Sequence, residues 1–486
     1  MTEIGWIGIA LLALDWLIRI ALTARIVMRR SPLSASLAWL VIIMFIPLLG
    51  LFLYLLVGEN RLGERRRRRH AAVTDILLQQ AAHLWRHRHY QWEGGSETLQ
   101  QIARFGTAVG GSPPLRGNEL ELISDSDKLI TRIAEDIDGA RNHCHLVFYI
   151  WQDSKGTRPV ADALIRAASR GVSCRVLVDS VGSKPFLRGR TVREMREAGV
   201  DVIAALPANP LRMLFSRLDL RNHRKIVAID GHTGYVGSQN LNDSTFKQHP
   251  RKPIGQWVDA MARVTGPAAM ALDVVFLLDW QLDSKENIQN LADYLPEMEL
   301  PEDDGSVVQI IPSGPGPIPE AIHQAQLTII YSAQEELIMT TPYFVPDEST
   351  RTALQAAAKR GVSVTLVCPE RGDSRLVQAA GRSYYLDLLE AGVKIMHFRD
   401  GLLHAKTLTV DRRIALIGSA NLDMRSFWLN FEVTMVVYDT DFASILRFLQ
   451  RHYISRSNAV TLEQWRRRPM YRFAVENTAQ LVAPLL

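Results

Sequence analysis

The chain has 486 residues, 47% hydrophobic and 22% charged, with 56 Lys and Arg against 51 Asp and Glu and a formal net charge of +5. That length suits roughly two to three domains, and the composition is that of a globular protein with a small membrane part. Arg65 to Arg69 alone match the net positive charge, so the remainder is nearly balanced and a general nucleic-acid groove is disfavoured. Cys144, Cys174 and Cys368 show no CxxC or Cys/His ligand spacing, so they are read as core thiols rather than as a zinc site or a disulfide framework.

The first apolar stretch, Ile4 to Leu22, contains Asp15 and Arg19, four residues apart and placed to pair on one helix face. Its start is acidic (Glu3), it shows no small-residue cleavage site, and a second apolar stretch follows, so a retained arm is expected rather than a cleaved signal. From Ser31 to Gly58 there is no charged residue. Leu37 to Val57 is long enough to cross a bilayer, which takes about 20 helical residues. Pro47 and Gly50 in its middle are tolerable in a membrane helix. Residues 1–58 are therefore expected to form a transmembrane hairpin. Arg25, Arg29 and Arg30 lie between the two arms, but Arg61 and Arg65 to Arg69 make the larger cluster, which favours a cytoplasmic main body. The same run is also suited to anionic headgroups, or serves only to set topology.

Residues 59–115 read as a basic juxtamembrane and helical linker, ending at the Gly110-Gly111-Ser112-Pro113-Pro114 boundary. Two α/β domains are expected beyond it, at residues 116–300 and 301–486. The first runs strand (Leu146 to Trp151), helix (Pro159 to Ser169), Arg170-Gly171-Val172-Ser173 and strand (Cys174 to Asp179). The second repeats that order with Leu337 to Thr341, a helix around Thr352 to Lys359, Arg360-Gly361-Val362-Ser363 and Val364 to Cys368. Alternation of strand and helix implies a sheet in each half, and two similar halves imply pseudo-twofold packing. The join falls near Leu295 to Gly305.

Each half carries one signature. The first is His223-x-Lys225-x4-Asp230-x6-Gly237-Ser238-x-Asn240; the second is His404-x-Lys406-x4-Asp411-x6-Gly418-Ser419-x-Asn421. The β-branched run after Lys225 reads as a buried strand closed by a turn, and residues two apart on a strand share a face. Each histidine therefore projects with its lysine. Two imidazoles flanked by two lysines and two carboxamides suit phosphoryl transfer: one imidazole attacks phosphorus, the other protonates the leaving alcohol, and Lys and Asn hold the charged oxygens.

The doubled signature resembles the phospholipase D superfamily, the HKD enzymes, and with the apolar hairpin ahead of it the chain resembles bacterial cardiolipin synthases over nearly its whole length. The resemblance implies a phosphatidyltransferase that converts two phosphatidylglycerol molecules to cardiolipin and glycerol through a phosphohistidine, in the bacterial inner membrane, with no cofactor or metal. It implies His223 as nucleophile and His404 as acid/base; the symmetry of the two motifs leaves that order open. The candidate catalytic set is His223, Lys225, Asp230, His404, Lys406 and Asp411, with both aspartates read as structural because they sit at the strand ends. Candidate phosphate ligands are Asn240, Asn421, Ser238 and Ser419, the serines more as turn-shaping hydrogen-bond partners. An acidic residue that follows each motif in the family falls on Asp259 and Glu432, which are expected to fix the histidine tautomers. Leu211 to Leu218, mixing apolar and basic residues, is expected to rest on the bilayer. A phospholipase D hydrolase and a transferase using a CDP-activated lipid carry the same residues, and an HKD nuclease is disfavoured by the localised charge.

Overall fold

The structure is a computed structural model; it describes residues 3–28, 33–58, 64–86, 88–92, 96–207, 217, 219–246, 255–284, 286, 288, 290–295, 305–315 and 319–481. The segment Leu211 to Leu218 lies outside the described residues except for Arg217.

The first apolar stretch is one unbroken helix, Glu3–Val27, and its part from Trp6 to Val27 is long and apolar enough to cross a membrane. Asp15 accepts from Arg19 Nε at 2.9 Å, so the two charges answer each other on one face. The second stretch is less regular than its charge-free sequence suggests. It forms a helix over Leu33–Phe45, turns at Ile46 (φ −138°, ψ 69°), resumes at Pro47–Leu53 and ends in a π-helical turn over Tyr54–Gly58. Proline lacks the amide that would continue the ladder, so the break falls there. Arg19 donates to the Met44 carbonyl just ahead of the break. Leu22, Ile26, Trp39, Ile43 and Tyr54 pack these segments together, while Trp6, Leu11, Leu17 and Phe45 stay exposed.

A mixed sheet of fifteen strands runs through the catalytic region. From one edge, the first half contributes Asp201–Ala205, Ser173–Asp179, His143–Phe148, Lys225–Ile229, Thr233–Gly237, Met261–Thr265 and Leu115–Ile123. The second half gives the same order from the other side: Lys394–Phe398, Ser363–Pro369, Glu336–Thr340, Thr407–Val410, Ile414–Gly418, Glu432–Val437 and Ser306–Ser313, with Ser457–Val460 added outside. The halves meet where Leu115–Ile123 pairs antiparallel with Ser306–Ser313. In each half the outer three of these shared strands are parallel. Helices Arg158–Ser169 and Glu348–Lys359 make the first crossovers, as parallel pairing requires. Gly171 (φ 89°) and Gly361 (φ 94°) end those two helices in the left-handed region, which is why the same Arg-Gly-Val-Ser follows each.

Three large apolar cores, among the described residues, hold this together. One lies in each half, and a third spans both, bringing Ala262 and Val264 of the first together with Ile417, Val433 and Met435 of the second. Helix Pro267–Asp283 is mostly apolar and buried along nearly its whole length, with its buried Asp273 and Asp279 ion-paired. The common core puts the start of strand Lys225–Ile229 beside strand Glu432–Val437, so the two signatures meet at the centre of the molecule.

Candidate active site

Each signature histidine sits just before its strand and is stitched by backbone to the other half. The His223 amide donates to the Phe431 carbonyl at 2.9 Å, and the Phe431 amide donates to Arg221 at 2.9 Å. On the other side Leu402–Leu403 pairs in parallel with Trp257–Val258, and the His404 amide donates to Val258 at 2.8 Å. The residue after each of these partners is a carboxylate. Glu432 therefore lies against His223, its Oε1 2.9 Å from Nδ1, and Asp259 lies against His404, its Oδ1 2.6 Å from Nδ1. The acid that follows one motif in sequence thus serves the histidine of the other. Asn430 Nδ2 donates to Glu432 Oε1 at 3.1 Å.

With each Nδ1 engaged, the Nε2 atoms are left for chemistry. Both imidazoles border one cavity of about 310 Å³, with Asn240 and Asn421. Asn240 turns its carbonyl back to the Ile150 amide (3.1 Å), which frees its amide group as a donor. The Tyr149 ring stands 4.9 Å from His223, and the Trp257 ring 4.6 Å from His404.

Lys225 and Lys406 are buried, and each Nζ donates to the carbonyl of its own histidine at 2.6 Å. Burial lowers them to about 7 and about 8, against the opposing pull of Glu432 and Asp259. Burial also lowers both imidazoles to about 4, outweighing their carboxylates, and the lysine charges add to the effect. Burial alone would raise the two acids. His404, Lys406 and the Ser238 hydroxyl instead hold Asp259 at about 2, and His223, Lys225 and the Ser419 hydroxyl hold Glu432 below its usual range.

The serines stand behind these acids rather than in the cavity. Ser238 Oγ donates to Asp259 Oδ1 at 2.6 Å, and Ser419 Oγ to Glu432 Oε2 at 2.5 Å. Both are fully buried, so as phosphate ligands they are displaced by Asn240 and Asn421, two residues on. Asp230 and Asp411 are at the far ends of their strands. Asp230 (φ 52°) accepts the amides of Arg141, Asn142 and His143, each at 2.8 Å, and Asp411 (φ 51°) accepts those of Gln334, Glu335 and Glu336, each at 2.8 Å. They are turn clamps and do not touch the cavity, so they leave the catalytic set.

Sequence reasoning passed over Arg224, although it lies inside the first signature. Alternation along the backbone turns it away from the cavity. There it pairs with Asp279 and donates to the carbonyls of Glu432 and Ser313, both at 2.9 Å, joining the halves. The cavity wall also includes Arg221, Tyr343, Asp373, Asp423 and Arg425, none of which belongs to the signature shared by the halves. Among the described residues, one cluster has metal-type ligands: His143, His145 and Asp273. Each imidazole is 2.6 Å from Asp273, and Arg175 Nη1 lies 3.2 Å from the other nitrogen of His145. A guanidinium at that position repels a cation, so the cluster is read as a satisfied buried network.

A family model described as "Cardiolipin synthase, PLD-like domain" matches residues 133–250 and again 327–450, and one described as "Phospholipase_D-nuclease N-terminal" matches residues 17–59. The chain is 41% identical over 471 residues to cardiolipin synthase A of Yersinia pseudotuberculosis serotype O:1b (strain IP 31758), covering 97% of each chain, and to the same extent to that of Yersinia pestis. Among solved structures, phosphatidylserine synthase of Haemophilus influenzae Rd KW20 matches with a TM-score of 0.57 at 17% identity, over 79% of this chain and 100% of that one; the likeness is one of fold.

Proposed function

The chain belongs to the cardiolipin synthase family of phospholipase D-like proteins, and on that premise we propose how the cavity between its two histidines makes cardiolipin. The enzyme is a phosphatidyltransferase that turns two phosphatidylglycerol molecules into cardiolipin and glycerol. The observation that carries the mechanism is that two imidazoles, each backed by a carboxylate from the opposite half, share a single cavity.

His223 Nε2 attacks the phosphorus of the first lipid while His404 Nε2–H gives its proton to the departing glycerol oxygen. A phosphatidyl-histidine results. The hydroxyl of a second phosphatidylglycerol then attacks phosphorus, the P–N bond breaks with its electron pair returning to His223, and His404 takes the proton. Glu432 and Asp259 keep each Nδ1 protonated and each Nε2 aimed inward. The Asn240 and Asn421 amides hold the phosphoryl oxygens, and Lys225 and Lys406 supply positive charge from beneath. Both imidazoles are neutral near pH 7 in the ligand-free site. The phosphodiester anion supplies the negative charge that lets His404 take up its working proton.

The apolar N-terminal segments fold as a two-pass hairpin in the inner membrane with the catalytic halves on the cytoplasmic side. What supports this is the 25-residue apolar helix, the exposed apolar side chains on it, and the arginine run that follows the second stretch.

The test is product analysis in vesicles of labelled phosphatidylglycerol, with His223→Ala and His404→Ala alongside. Cardiolipin and glycerol in equal amounts, lost in both variants, is the expected result. Phosphatidic acid as the main product would make the protein a hydrolase.

A further inference from the structure

The halves repeat in fold, but the carboxylates at or beyond the ends of their matching strands are used differently. In the first half the carboxylate at the end of strand Ser173–Asp179 is spent on backbone: Asp179 accepts the amides of Val181 (2.9 Å), Gly182 (2.8 Å) and Asn222 (3.1 Å). In the second half the matching strand, Ser363–Pro369, runs on to an acid with another use. Asp373 is exposed and borders the cavity. Among the described residues its hydrogen-bond partner is the Tyr343 hydroxyl, 2.9 and 2.8 Å from its two oxygens. A phenol that shares its one proton between both oxygens positions the carboxylate and leaves its other lone pairs open to the cavity.

Asp373 is also on a particular side. Strand Phe344–Val345, directly after Tyr343, pairs in parallel with Leu422–Asp423 just beyond Asn421, which sets Tyr343 and the Asp373 it holds against the second signature, the one that carries His404. In an in-line displacement, the leaving alcohol and the attacking alcohol both occupy the side of phosphorus opposite the nucleophile, next to the acid/base. If His223 is the nucleophile, that side is His404's. A glycerol headgroup brings one reacting hydroxyl and one that does not react, and the spare hydroxyl needs an acceptor.

We propose that Asp373, held by Tyr343, forms a polyol subsite beside His404 that binds the non-reacting hydroxyl of a glycerol headgroup, first of the glycerol that leaves and then of the lipid that attacks. Arg221 and Arg425, on the same cavity, bring positive charge for the phosphodiester that the attacking lipid carries. The subsite favours transfer over hydrolysis because it fixes an alcohol, rather than water, against the phosphatidyl-histidine. It also accounts for acids in the wall of a cavity built for an anionic lipid, where carboxylates would otherwise repel the substrate.

The inference rests on the transferase reading, and one experiment separates the two. The full chain in vesicles of labelled phosphatidylglycerol is given ethanol as a competing acceptor with no second hydroxyl. Cardiolipin, phosphatidylethanol and phosphatidic acid are then quantified for the parent chain, Asp373→Asn, Asp373→Ala and Tyr343→Phe. The ratio of cardiolipin to phosphatidylethanol does not depend on how much protein has folded. It is expected to fall roughly tenfold in Asp373→Ala, the loss of a hydrogen bond to a charged group, and less in Tyr343→Phe. An unchanged ratio in the variants, or loss of both products in all three, would overturn the subsite while leaving the transferase intact. A parent chain that yields phosphatidic acid alone, even with ethanol in excess, would overturn the transferase reading and the subsite with it.

Discussion

Each imidazole at the centre of the cavity is oriented by a carboxylate from the opposite half. In the proposed order of roles, Glu432 serves the nucleophile and Asp259 the acid/base, so the two acids act at different steps. Glu432→Gln is expected to cut formation of the phosphatidyl-histidine by roughly 10²–10⁴-fold, the scale seen when a tautomer-fixing acid is lost, even with a donor whose alcohol leaves unaided. Asp259→Asn is expected to spare that first step with such a donor and to lose a similar factor with phosphatidylglycerol. Rapid-quench measurement of each step decides it, and same-half pairing predicts the reverse. The depressed lysines give a pH dependence. Above about 7 and about 8 respectively, Lys225 and Lys406 lose their charge, so an oxyanion such as vanadate should bind roughly tenfold more weakly at about pH 8.5 than at about pH 6.5. A titration in which affinity rises with pH would contradict this. The histidines, lysines and asparagines were legible in the sequence because their spacing is identical in both halves. The crossing of the acids was not legible, because it depends on which strand of one half lies beside which histidine of the other. Nor were Asp373 and Tyr343, which lie outside the shared template.

At the scale of elements, the sheet places these side chains by alternation and by what closes each strand. His223 and Lys225 lead into one strand end while Asp230 clamps the other, and the second half repeats this. Asp230→Ala removes three hydrogen bonds from backbone amides and puts a residue with no local polar side chain at φ 52°. It is expected to cost about 2 kcal/mol or more, seen as a lower Tm, with the folded fraction still forming cardiolipin; Asp230→Asn should cost less. Activity lost without loss of stability would return Asp230 to the chemistry. The strands and first crossover helices were legible from the period of the apolar residues and the repeated Arg-Gly-Val-Ser. The break at Ile46 was less so. Hydropathy sees an uninterrupted apolar run, whereas the missing amide of Pro47 acts on backbone geometry, which hydropathy does not weigh.

At the scale of the whole molecule, one site needs both halves and a bilayer that supplies both substrates. Pseudo-twofold order in the sheet brings the signatures together, and the shared core across the join keeps them there. The proposed hairpin is expected to place the catalytic halves on the cytoplasmic side. Protease added to inverted membrane vesicles should therefore digest them, and protease added outside intact spheroplasts should not; the opposite pattern would reverse the orientation.

In the proposed mechanism His223 carries the phosphatidyl group while His404 moves the proton. The most direct measurement uses phosphatidyl-p-nitrophenol, whose alcohol departs without protonation. His404→Ala should release a stoichiometric burst of p-nitrophenol and leave the phosphatidyl group on the peptide containing His223, while His223→Ala should give neither. A burst from His223→Ala with the adduct on His404, or no adduct in either variant, would contradict the account.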